Sequence, residues 1–209
     1  ADGQALVIED LRIAGSGTRA AQPQPIEGSF VQGSLLQATI TYDGQTSTGL
    51  YGYNNNMWMS HTSAYWLTGK EQTVTLRTPY PEPIPAMPPA FNATNWHEYD
   101  ILEYSGQTAP TTSFTLSHMR AQLCVTLKAG TGLTDADLAG AKVTINNSTE
   151  LWHTNGAHYA LLDPDTYATL PALTIALGSE TYTYNPGTDA PALAAGECLM
   201  LTLSVSKAQ

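Results

Sequence analysis

Residues 113–128 read S-F-T-L-S-H-M-R-A-Q-L-C-V-T-L-K, and their apolar positions alternate, slip by one, and alternate again. Phe114, Leu116 and His118 share one face of an extended chain, whereas Ala121, Leu123, Val125 and Leu127 continue on the opposite face. A helix does not produce a strict period of two, and Thr115, Val125 and Thr126 favour a pleated surface. The flanks Thr111-Thr112 and Ala129-Gly130 are turn-like. A single phase slip inside a strand is what a β-bulge leaves, because one extra residue re-aims every side chain beyond it. This stretch is therefore expected to be one long core strand, bulged at His118–Arg120. Cys124 should turn away from the aliphatic row, and His118 should be a hydrogen-bonded structural residue rather than a general base.

The rest of the chain repeats the theme in shorter pieces. Residues 5–13 (A-L-V-I-E-D-L-R-I) form a first strand, followed by the small-residue segment 14–21, in which Arg19 is the single base. Such a segment is open to proteolysis. Pro23 and Pro25 extend the connection to a strand at 34–42, which ends at the turn signal Asp43-Gly44. Residues 49–66 (G-L-Y-G-Y-N-N-N-M-W-M-S-H-T-S-A-Y-W) are aromatic and polar at once, with Asn54-Asn55-Asn56 as a loop tip between short strands. Another strand runs to Thr78, and the prolines of 79–89 fix an extended loop that no central strand could contain.

After the quoted stretch, Thr134 to Gly140 reads as one helical turn, with Thr134 as N-cap, acids in the first turn and a glycine stop. Strands follow at 141–145, at 173–177 and 180–184 as a hairpin around Gly178-Ser179, and at 197–206. Many short strands punctuated by turns predict an all-β, antiparallel β-sandwich of about seven or more strands with one short helical turn. Residues 1–209 are read as a single domain, with 1–19 an N-terminal strand and propeptide-like segment.

Composition narrows the function classes. Charged residues are only 12% of the chain, about half the usual quarter, while Thr, Gly, Pro and Tyr are abundant, as in extracellular β-proteins. A formal net charge of −10, with only eight Lys and Arg, leaves no basic patch to neutralise phosphates, so neither nucleic acid nor an anionic membrane is an expected partner. No stretch approaches the roughly 20 apolar residues of a membrane span. The chain reads as an exported, mature fragment. Cys124 and Cys198 each lie out of phase with the aliphatic residues of their strands, on the less apolar side, where they could face each other or stand alone. A bridge between them would contribute about 4 kcal/mol in the chain-entropy picture.

Enzymatic constellations are thin. His153 and His158 with Asp163 and Asp165 could be imagined around a metal, but a five-residue separation is not the helical i, i+4 spacing and no third strong ligand adjoins them. They read as loop histidines. Glu98, Asp100 and Glu103, following Trp96 and His97, offer the carboxylates a glycosidase needs, yet read more simply as a solvated strand start. No phosphate loop, CxxC or nucleophile elbow occurs, so no catalytic residue, cofactor or metal is assigned. Trp58, Trp66, Trp96, Trp152 and the tyrosines could carry glycan binding, although core packing uses the same residues. Asn92, Asn146 and Asn147 open N-x-S/T patterns that an Asn- and Thr-rich chain produces by chance.

Three features together resemble the fimbrillin-like family, subunits of type V pili and related surface lipoproteins. These are Thr18-Arg19-Ala20 after an N-terminal strand; the aromatic region with Trp58 and Tyr65-Trp66 ahead of a Pro-rich stretch; and D-I-L-E-Y (100–104) followed by F-T-L-S-H-M-R-A-Q-L-C-V-T-L (114–127). The resemblance spreads over most of the chain and implies the family's N-terminal, transthyretin-like β-sandwich. It also implies export as a lipoprotein to the outer membrane and cell surface, cleavage after an Arg that maps onto Arg19, and loss of the strand 5–13. Another pilus or fimbrial subunit would then fill the vacated groove by strand addition. Surface glycans or proteins would be further partners. The family's lipobox Cys is absent and no second sandwich follows Gln209, which points to an accessory, anchor or stand-alone member. The expected function is a non-enzymatic surface or pilus-associated adhesion subunit; the alternative is a glycan-binding surface module.

Overall fold

The computed structural model describes residues 3–14, 25, 30–80 and 86–207. The chain is almost entirely β, and it gathers into two compact units: Ala1–Gly15, Glu27–Pro85 and His97–Met119 form unit 1, and Ser16–Ile26, Ala86–Trp96 and Arg120–Gln209 form unit 2.

Unit 1 holds β1 (Asp10–Ile13), β2 (Leu35–Tyr42), β3 (Gln45–Asn54), β4 (Met57–Thr62), β5 (Gln72–Thr78), β6 (Leu102–Thr108) and β7 (Ser113–His118) in one sheet of order β1-β7-β6-β5-β2-β3-β4. Alternation sets its inner face: Leu36, Ala38 and Ile40 of β2, Val74 and Leu76 of β5, and Phe114 and Leu116 of β7 are all buried in one cluster with Tyr51, Trp58 and Trp66. The Asp43-Gly44 turn joins β2 to β3 with both residues at positive φ, 47° and 76°, the backbone that lets a two-residue hairpin follow strand twist. Asn55 and Asn56 do the same between β3 and β4 at 50° and 61°. A four-residue helix, α1 (Trp96–Tyr99), lies where the chain re-enters this unit.

The phase slip in 113–128 is not a bulge within one strand, as expected above, but the place where the chain changes unit. Up to Met119 the backbone is bonded within unit 1: His118 pairs with Leu102, and Met119 N donates to Ile101 O at 2.8 Å. From Arg120 the partners are in unit 2, where Gly196 N donates to Arg120 O at 3.2 Å and Gln122 N to Glu197 O at 2.9 Å. Two separate cores pull on the two halves of the stretch, so the inward face resets once between them.

The inward face also changes parity at the N-terminus, there within one cluster. Leu6 and Ile8 point inward on even numbers beside residues 64–66, and Leu11 and Ile13 on odd numbers beside β7.

Unit 2 holds β8 (Ala121–Ala129), β9 (Lys142–Ile145), β10 (Thr149–Glu150), β11 (Trp152–Thr154), β12 (Ala157–Leu162), β13 (Leu173–Leu177), β14 (Glu180–Tyr184) and β15 (Cys198–Val205). Two four-stranded sheets result, β10-β9-β13-β14 and β11-β12-β8-β15. The helical turn expected near 134 is α2 (Asp135–Leu138). It is closed by a capping box in which Thr134 Oγ1 accepts from Asp137 N and the Asp137 carboxylate accepts from Thr134 N at 2.7 Å. Among the named strands, pairing is antiparallel except at two places, where β1 runs parallel to β7 and β15 parallel to β8. Both terminal strands of the chain thus lie parallel to one half of the stretch 113–128.

Candidate functional site

The N-terminal segment occupies a seat with a different flank on each half. On one side Leu6 N donates to Ala64 O (2.8 Å), Trp66 N to Gln4 O (2.9 Å) and Gly3 N to Trp66 O (2.8 Å). Further along, Glu9 N and Asp10 N both donate to Thr112 O (3.0 and 3.2 Å), and Ala14 N donates to Leu116 O (2.6 Å). The side chains alternate accordingly: Leu6 and Ile8 are 1% and 5% exposed, while Val7 between them is 49% exposed.

Tyr51 locks the seat from below. Its hydroxyl donates to Leu6 O at 2.9 Å and accepts from Ala64 N at 3.2 Å, so one phenol ties the segment to its flank. Burial, above all, raises the Tyr51 pKa. At the rim Thr112 Oγ1 donates to Glu9 Oε2 (2.9 Å) and Ser113 Oγ to Asp10 Oδ2 (3.1 Å). Tyr51 and the Ala64–Trp66 flank were not singled out from sequence as parts of a strand seat, although the spacing of Tyr51 and Tyr53 already placed both on one face. Backbone bonding, to one partner stretch in each half, is indifferent to side-chain identity, whereas the alternate apolar contacts are not. Arg19 lies outside the described residues.

The other candidate residues are placed as follows. His153 and His158 face each other across β11 and β12 with rings stacked 4.3 Å apart at 13°. His158 is buried, its Nδ1 has no hydrogen-bond partner, and burial with the nearby His153 lowers its pKa to about 4. Asp163 does not join them: it lies 3.8 Å from Arg120 and caps its own turn by accepting from Asp165 N at 3.1 Å. Among the described residues no three His, Cys, Asp or Glu side chains gather as a metal site.

Glu98, Asp100 and Glu103 are likewise separated by their partners. Glu103 pairs with Arg77 directly across β5 and β6 at 3.1 Å, Asp100 Oδ1 lies 2.9 Å from His118 Nδ1, and Glu98 is exposed on α1. His118 is thereby hydrogen-bonded at the end of β7. Trp58, Trp66 and Trp96 are buried; Trp152 is half-buried, with its ring 5.8 Å from that of Trp96.

Cys124 and Cys198 are thiols in this structure. They sit on the adjacent parallel strands β8 and β15 but out of register, Cys198 opposite Gln122 and Cys124 opposite Met200. Cys124 does turn away from Leu123 and Val125, yet its side is no more open: Gln122 and Cys124 are 0% and 3% exposed, because β8 is covered on both faces. Burial pushes the Cys124 thiol up, and the buried Tyr159 beside it is pushed up to about 12.

No family model and no curated protein matches the sequence. Solved structures do. A putative cell adhesion protein of Bacteroides uniformis superposes with a TM-score of 0.65 at 19% identity, over 99% of this chain and 95% of that one. A fimbrial protein of Bacteroides ovatus superposes at 0.62 and 13% identity, over 98% of this chain and 50% of that one. The fold is theirs. A putative cell adhesion protein of Parabacteroides distasonis superposes at 0.51 and 9% identity, over 96% of this chain and 89% of that one.

Proposed function

We propose that the chain is a non-enzymatic, fimbrillin-like surface or pilus-associated subunit that assembles by β-strand addition. One observation carries the reading: residues 3–14 are held through backbone groups, the first half by residues 64–66 and the second half by residues 112–116, and bury Leu6 and Ile8, as a replaceable strand would be. Removal of that strand would leave unpaired backbone donors and acceptors beside two apolar pockets, which an extended segment from a neighbour satisfies. Cleavage after Arg19 is the step that would free it, and other pilus or fimbrial subunits are the partners. Export to the cell surface, on the outer membrane or in a fimbrium, follows from the same reading, and the fold shared with fimbrial and adhesion proteins supports it.

The test is digestion of the intact chain with an Arg-specific protease. Cleavage after Arg19 should release the N-terminal segment under mild denaturation, and the remainder should then bind a synthetic peptide of residues 3–14. Resistance of that bond, or a cleaved chain that unfolds and cannot be restored by the peptide, overturns the proposal. Glycan binding is not favoured, since three of the four tryptophans are buried.

A further inference from the structure

The edge strand β4 reads M-W-M-S-H-T, and its outward side carries three soft or borderline donors in succession: Met57, Met59 and His61. Trp58 between the methionines is buried in the aromatic cluster with Phe30 and Tyr53, which fixes Met57 and Met59 on the other face. They are 59% and 54% exposed.

His61 reaches the same face because of two backbone features. The β3–β4 register shifts between Leu50 and Tyr51, so that Thr62 pairs with Leu50 and Ser60 with Tyr51, leaving His61 as the extra residue of a bulge. Bulges re-aim the side chain they carry. The second feature is Gly52, which pairs directly with Met59. A Cβ built there would stand 2.5 Å from His61 Nε2, so the imidazole lies in the space that the missing side chain leaves. Directly opposed residues of an antiparallel pair share a face, with Cβ positions roughly 5 Å apart. His61 Nε2 is therefore held beside Met59, and Met57 follows one pleat further along, about 7 Å away. Each methionine has three rotatable bonds and a polarizable sulfur able to close such a gap. The strand contains no carboxylate.

We propose that Met57, Met59 and His61 form a binding site for a soft monovalent cation, copper(I), on the outer face of β4. Two neutral thioethers and an imidazole are a poor set for calcium, magnesium or zinc and a good one for copper(I), because thioether sulfur selects soft ions. Gly52 is a positioning residue, since it makes room for the ring.

The experiment uses the full chain labelled with 13C at the methionine methyls and titrated with silver(I), an air-stable soft monovalent cation. Methionine is found at five positions, which gives three internal controls: Met87, Met119 and Met200. The Met57 and Met59 methyls and the His61 ring signals should move together and saturate at one equivalent, while the control methyls stay in place. Met57→Leu, Met59→Leu and His61→Ala should each weaken binding about tenfold or more. Gly52→Ala, which keeps all three donors, should weaken it by displacing the imidazole, and zinc(II) should leave the methyls unmoved. The methionine substitutions alter only exposed side chains, so their effect does not depend on refolding. Unmoved Met57 and Met59 signals overturn the site, as does parallel movement of all five methyls or silver uptake by Cys124 and Cys198 alone.

Discussion

Replacing Leu6 by Ala tests whether the N-terminal segment is a seated strand. Leu6 is 1% exposed and Ile8 5% in the unit 1 core. Truncating either removes about three buried carbons, worth about 2.4 kcal/mol by transfer alone. The cavity left behind brings the expected loss to about 2–5 kcal/mol each. Val7 is the control, because it belongs to the same segment but is 49% exposed; Val7→Ala should change stability by no more than about 0.5 kcal/mol. Urea unfolding followed by tryptophan fluorescence reads all three, since Trp58 and Trp66 pack in the same cluster. With a slope of about 2 kcal/mol per molar urea, a loss of about 3 kcal/mol lowers the midpoint by about 1.5 M. If Leu6→Ala and Ile8→Ala shift the midpoint no more than Val7→Ala, the segment is not a structural strand and the exchange mechanism loses its basis.

Acid should expose His158. Its pKa is about 4 in the fold against an ordinary 6.5, so at pH 7 both states are neutral, and as pH falls from 6.5 towards 4 the unfolded chain takes a proton that the folded chain refuses. Stability should drop by about 2–3 kcal/mol between pH 7 and 4.5, and His158→Gln should remove that part of the drop in paired urea curves; an equal drop in both proteins refutes the assignment. Thiol titration of the denatured, non-reduced chain should find two reactive thiols, whereas none would mean that Cys124 and Cys198 are bridged. Gly49→Ala should destabilise by about 1–3 kcal/mol, because a Cβ there would meet the backbone N of Ala64 and O of Thr62; a melting temperature unchanged from the parent would refute that close approach. Reading residues 1–209 as one domain predicts a single unfolding transition by fluorescence and far-UV dichroism together, and two separated transitions overturn it.

Some of this was written plainly in the residues. Alternation at 34–42, 173–177 and 197–206 marked strands, Asp43-Gly44 marked a hairpin, and Thr134 with Asp137 marked the capped turn, because each depends on neighbours a few positions apart. The strand Ala157–Leu162 carried no such signal: all six residues are buried, so the period of two disappears. Ala121–Val125 is also buried at every position, but there Gln122 and Cys124 kept the alternation visible in the sequence. The carboxylates 98, 100 and 103 looked like one group only because they are close in sequence; Arg77 and His118 hold two of them in separate pairs.

The sequence by itself determined that this protein is all-β and where many of its half-buried strands, several turns and the slip at His118–Arg120 fall, since the pleat imposes its period of two on any half-buried strand. Only the tertiary structure decided what the slip at His118–Arg120 means. It hands the chain from one core to another, with β1 parallel to the first half and β15 parallel to the second. Pairings across some 75 to 100 residues are made by backbone groups that every residue shares, so local pattern cannot specify them. The same holds for the strand seat under Leu6 and for the face that gathers Met57, Met59 and His61: each depends on which strand lies alongside.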